Sequence, residues 1–124
     1  MRNILAAGRW LFILSFLLYT GLHFGLPQAG AEMIPSFFPA RVLLNYVTGI
    51  LVTAFIVSCL IGKYDQLASM LMALYVLLTI FFIHIPRAAD NTNDMLNIFR
   101  NIMVIGALLM YAKAFAKDRF LAAN

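Results

Sequence analysis

The sequence predicts an all-α fold, a transmembrane four-helix bundle with both termini cytoplasmic. Three observations predict it. First, 64% of the residues are hydrophobic and only 11% are charged, whereas a soluble domain carries about 45–50% apolar and about 25% charged residues. A chain of 124 residues cannot enclose that much apolar surface in a core of its own; lipid removes the difficulty, because apolar side chains can face outward. Second, the apolar residues fall into four long runs, and a spanning helix needs about 20 of them in succession. Third, the basic residues are singletons beside those runs, where membrane topology places them.

The predicted helices cover residues 4–26, 42–61, 67–85 and 98–116 of a single domain, 1–124. The first is interrupted only by Arg9. The fourth reaches spanning length once Ile98, Phe99 and the stem of Arg100 join it, since arginine snorkels. Helices are preferred to strands because the runs lack the alternation of a membrane barrel, and a helix satisfies its own backbone in lipid. Pro27, Gly30, Pro35 and Pro39 predict a structured loop from Pro27 to Ala40. Gly62 to Gln66 predicts a tight turn and a helical hairpin. Pro86 is expected to end the third helix, because the residue before a proline avoids helix. Arg87 to Asn97 reads as a polar loop, with Asp94 as cap of the fourth helix.

Basic residues set the expected orientation. Arg2, Arg9, Lys63, Lys113, Lys117 and Arg119 share one side, and Arg41, Arg87 and Arg100 the other. The excess of the first group places both termini inside. Met1 to Ala31 mimics a signal peptide, with Ala29-Gly30-Ala31 as an A-x-A site. Its apolar stretch exceeds the usual 7–15 residues, so it is expected to remain as a helix.

Composition excludes several classes. The net charge of +4 does not imply nucleic acid, since the cations form no basic stripe. A single cysteine, Cys59, cannot form an internal disulfide or a dithiol pair. No nucleophile–base motif, phosphate-binding glycine loop or paired catalytic carboxylates appear. The Gly21-xxx-Gly25 pair permits close helix approach, within the bundle or between two copies.

With two loops outside, topology gathers His23, Glu32, Arg41, Asn45, His84, Arg87 and Arg100 at the outer end of the bundle. Ionisable groups at membrane depth are costly and usually face an interior or a wet cavity. His23 and His84 are either a pair lining a pocket, able to exchange protons near neutral pH, or two interfacial histidines bonded to neighbouring loops. Two histidines without a carboxylate or cysteine at helical spacing do not make a metal site, and nothing else in the sequence supports haem. Arg87 and Arg100 suit an anion such as a quinone oxygen, a sulfur oxyanion or a lipid phosphate, or they reach headgroups or pair with Asp90, Asp94 or Glu32. His23, Glu32, Asn45, His84, Arg87 and Arg100 are thus the candidate ligand-binding residues, with no metal.

Four stretches resemble the DoxX family of small four-helix membrane proteins. "RWLFILSFLLYTGLHF" (Arg9–Phe24) is similar to its first helix, and "MIPSFFP" (Met33–Pro39) to its external loop. "NYVTGIL" (Asn45–Leu51) resembles the start of its second helix and "IHIPR" (Ile83–Arg87) the end of its third, and Asn101–Ala107 is similar to its fourth. Related sequences often carry a glutamate soon after the second-helix glycine; here Ile50, Leu51, Val52 and Thr53 follow Gly49. The resemblance implies a multi-pass protein of the bacterial cytoplasmic (inner) membrane. Some family members resemble the membrane subunit of a thiosulfate:quinone oxidoreductase, and others are linked to redox-stress complexes or to assembly of membrane proteins.

The leading expectation is an accessory subunit, not catalytic alone, that contacts the bilayer, a membrane or periplasmic protein or a second copy, and holds a quinone or lipid at the outer end. A quinone-reactive subunit using the histidines for proton transfer is the alternative. A small-molecule transporter ranks last, since only Ser15, Thr20, Thr48, Thr53, Ser58, Ser69 and Thr79 could line a polar path.

Overall fold

Backbone amides in lipid must find partners within their own segment, and this chain meets that demand with helices throughout. The computed structural model describes residues Met1 to Arg119. Its elements are α1 (Arg2–Gly25), α2 (Pro27–Met33), α3 (Arg41–Ile61), α4 (Asp65–Thr79), a π-helical turn (Ile80–His84), α5 (Ile85–Ala88) and α6 (Thr92–Ala114), with no strand among the described residues. Four spans are long and apolar enough to cross a membrane: Arg2–Gly25, Arg41–Ile61, Asp65–Ala88 and Thr92–Ala114. Large apolar side chains such as Leu5, Leu11, Leu18, Ile50, Leu71 and Met103 are more than half exposed, which water would not tolerate at this density. The chain is a multi-pass membrane protein.

Two compact units divide it, Met1–Tyr64 and Asp65–Asn124. In the first, α1 and α3 pack antiparallel. Phe16 meets Phe55 edge to face at 4.9 Å, Thr20 Oγ1 lies 3.4 Å from Thr53 Oγ1, and His23 meets Asn45. Gly49 lets the two helices close up, because a Cβ there would come within 3.0 Å of His23 Cβ and of the Phe24 ring. The α3 C-terminus stops at Gly62, which adopts φ 72°. The amides of Gly62 and Lys63 both reach Ser58 O, at 2.9 and 3.2 Å, the usual left-handed glycine stop.

The Pro27–Ala40 stretch differs from the expected loop: Pro27 opens a short helix, α2. Proline lacks the amide that the first helical turn leaves unpaired anyway, and its fixed φ suits that turn.

In the second unit, α6 packs antiparallel on α4. Gln66 Nε2 donates to Ala112 O at 3.1 Å, at one end, and His84 meets Asp94 at the other. The third span does not end before Pro86 as expected; it continues through α5 to Ala88. The π turn makes this feasible. Ile85 N–H reaches Ile80 O, a five-residue spacing, and Pro86 then falls in the first turn of α5, where its missing amide does no harm. The expected loop from Arg87 to Asn97 is correspondingly short, and α6 begins at Thr92. Its cap is Asn91 and not Asp94. Asn91 Oδ1 accepts from the amides of Asn93 and Asp94, at 2.9 and 3.2 Å, which leaves the Asp94 carboxylate for another use.

Candidate functional site

The two histidines, His23 and His84, are each bonded to one specific neighbour. His23 lies in the last turn of α1. In a continuing helix its carbonyl would accept the amide of residue 27, but that residue is proline, and Leu26 has left the helix at φ −130°, ψ 63°. Asn45, 1% exposed, takes over. Its Nδ2 donates to His23 O at 2.8 Å, and its Oδ1 lies 2.6 Å from His23 Nδ1. With the amide nitrogen committed to a carbonyl, Oδ1 can only accept, so His23 Nδ1 carries the hydrogen of this bond.

Gly30 of α2 covers this clamp. A Cβ at position 30 would overlap Asn45 Oδ1 and come within 2.7 Å of its Cγ. The short helix that the sequence did not predict therefore closes over the asparagine that fixes the histidine. Beside His23, Phe24 begins a shallow apolar groove of about 480 Å³, continued along α3 by Ile50, Thr53, Ala54, Val57 and Ser58. Their spacing on α3 is that of one helix face.

His84, 7% exposed, and Asp94, 3% exposed, form the second arrangement. His84 Nδ1 lies 2.8 Å from Asp94 Oδ1. A carboxylate accepts, so Nδ1 again holds the hydrogen. The π turn and α5 deliver His84, and the Asn91 cap sets Asp94 one turn into α6. A carboxylate behind an imidazole orients the ring.

Glu32 lies exposed in α2 and Arg87 half-buried in α5. Arg100 is exposed and donates to Asn97 Oδ1 of its own helix; the expected Asp90, Asp94 or Glu32 is not its partner in that bond. Arg41 Nη1 donates to Ile34 O at 3.4 Å. Among the described residues no group of three or more His, Cys, Asp or Glu could hold a metal ion. Of the seven hydroxyls weighed for a polar path, Ser15, Thr48, Thr53, Ser69 and Thr79 each bond a carbonyl of their own helix. A methyl added at Gly21 or Gly25 would meet nothing within 4 Å, so within Met1–Tyr64 this glycine pair makes no close approach.

One buried group had no place in the sequence reading. Asp65 is fully buried. Its Oδ2 accepts Lys117 N at 2.8 Å and Tyr111 Oη at 3.4 Å, and its Oδ1 accepts Asp118 N at 2.9 Å. Asp65 thus ties the segment after α6 to the start of α4. Only its place at a helix start, where acids are favoured, could have marked it.

No family model, curated protein or solved structure matches this chain.

Proposed function

We propose that the chain is a DoxX-like accessory subunit of the bacterial cytoplasmic membrane that binds a quinone at the His23 end of the α1–α3 pair. The observation that carries the reading is the pairing of a fixed imidazole with an apolar groove. Asn45 holds the His23 ring in one tautomer, and the groove starts at the adjoining Phe24 and runs along α3. A quinone is a polar ring on a long hydrocarbon tail. The tail suits a groove walled by Ile50, Ala54 and Val57, and the ring oxygen or hydroxyl suits the imidazole of His23, the residue before the groove-lining Phe24.

Extraction of quinone from the purified protein tests this. Wild-type protein is expected to carry quinone that His23→Ala and Asn45→Ala lose, while Arg100→Ala, remote from the clamp in sequence and bonded within α6, keeps it. Equal quinone content in all four proteins would refute the assignment.

The buried His84–Asp94 pair favours a second reading, a quinone-reactive subunit of an oxidoreductase. An imidazole backed by a carboxylate can pass a proton to a quinone oxygen, while the electrons that reduce the ring come from a redox partner in the complex. This reading requires quinone reduction by the assembled complex to fall with Asp94→Asn. Unchanged turnover would leave the accessory role alone standing.

A further inference from the structure

A charge lies on the packing stripe of α1. Ile13, Phe16, Thr20 and His23 follow one another at helical spacing. Ile13 and Phe16 are buried, and Thr20 and His23 bond to α3. Arg9 is the next residue of that stripe, four before Ile13. Its Nε and Nη2 are buried, and neither has a hydrogen-bond partner among the described residues. The guanidinium carbon lies 4.7 Å from the centre of the Trp10 ring, a contact that gives the Nε and Nη2 hydrogens no acceptor.

Nε and Nη2 share one edge of the guanidinium, and their two hydrogens point the same way. That edge is the fork that grips two oxygens of a phosphate or carboxylate. Among the described residues no carboxylate bonds to that edge. Glu32 is the only acid between Met1 and Tyr64, and it follows the opposite end of α1. Asp65, the next acid, spends its oxygens on Lys117, Asp118 and Tyr111. A buried cation without an anion is costly enough at membrane depth that something must compensate it.

The antiparallel register supplies a second cation. Phe16 faces Phe55, Thr20 faces Thr53 and His23 faces Asn45. Carried two turns beyond Phe16, that register brings Arg9 level with the turn after α3, where Lys63 and Tyr64 are exposed. Trp10 and Tyr64 are the amphipathic aromatics that favour the headgroup layer. From Trp10 to Leu26 the chain is uncharged apart from His23, and at 1.5 Å per residue this stretch covers roughly 25 Å. Arg9 therefore stands where hydrocarbon gives way to phosphate.

We propose that Arg9, assisted by Lys63, is a phosphate-binding site for the headgroup of an anionic phospholipid. The fork of Arg9 takes two phosphate oxygens, Lys63 adds a positive field, and the acyl chains extend alongside the helices.

Native mass spectrometry of the full chain released from nanodiscs tests the site. One set of nanodiscs is phosphatidylcholine alone, and the other contains phosphatidylglycerol. Wild-type protein is expected to retain one phosphatidylglycerol in preference to phosphatidylcholine. Arg9→Gln should lower that retention about tenfold, the equivalent of roughly 1.4 kcal/mol, and Lys63→Gln less. Arg9→Lys keeps the charge and loses the fork, so an intermediate value is expected even if Arg9→Gln fails to fold. Retention unchanged in Arg9→Gln, or in Arg9→Lys where only that variant folds, would overturn the site. Displacement of the lipid by inorganic phosphate would overturn the lipid assignment and give the fork to a soluble phosphate.

Discussion

Replacing Asn45 by alanine removes two bonds that do different things, and their separation is a test of how α1 ends. The bond from Nδ2 satisfies the His23 carbonyl, which Pro27 cannot serve. Left bare in a buried site, a carbonyl costs about 1–3 kcal/mol. The bond to the His23 ring is an ordinary side-chain pair between membrane helices, for which about 0.6 kcal/mol is typical and about 1.7 an upper value. Asn45→Ala should therefore destabilise the protein by roughly 2–4 kcal/mol. In a His23→Ala background the ring bond is already gone but the carbonyl remains. There Asn45→Ala should still cost about 1–3 kcal/mol. Reversible unfolding in mixed micelles, monitored by circular dichroism on all four proteins of the cycle, gives both numbers. If Asn45→Ala costs nothing once His23 is alanine, the carbonyl is not what Asn45 serves, and the account of the α1 terminus is wrong.

Gly30→Ala should displace the Asn45 side chain and mimic Asn45→Ala in the same unfolding assay. It should add little when Asn45 is already alanine, because the two changes act on one contact. Nitrogen NMR should find His84 Nδ1 protonated and Nε2 bare in wild-type protein, and Asp94→Ala should give a mixture of the two tautomers; a single unchanged tautomer would remove Asp94 from its assigned role. Asp65→Asn replaces a carboxylate that accepts two amides by a group with one accepting oxygen. At about 1.5–3 kcal/mol for a bond to a charged group, hydrogen exchange at Lys117 or Asp118 should accelerate roughly tenfold or more. Asn91→Ala should cost about 1 kcal/mol through the lost cap, whereas Asn93→Ala, which donates only its backbone amide there, should cost less.

Composition and run length sufficed for the four spans, because crossing lipid makes a demand on every residue in a row. Interactions set by single residues were harder to read. Pro27 and Pro86 both look like breaks. One instead opens α2 and the other sits in the first turn of α5, and the difference lies in the wide turn at Ile80–His84, which no local pattern announces. Asp94 was visible as a cap candidate, but Asn91, three residues earlier, has the first claim on those amides. His23, Asn45 and His84 stood out as polar residues in apolar surroundings. That His23 pairs with Asn45, and His84 with Asp94, depends on the register between helices, which the sequence does not encode locally. Arg9 was read only for its sign. Its position on the packing stripe becomes apparent once Ile13 and Phe16 are known to be buried.

The five-residue turn at Ile80–His84 acts as a phase shifter. Relative to an uninterrupted α-helix it holds one extra residue, and each residue of an α-helix turns the chain by about 100° and advances it by about 1.5 Å. Deleting any one residue of Ile80–Ile83 would let the wide turn relax to regular pitch, swing everything downstream around the axis and carry the imidazole of His84 off the Asp94 carboxylate. The upstream part of the span would keep its lipid-facing sides.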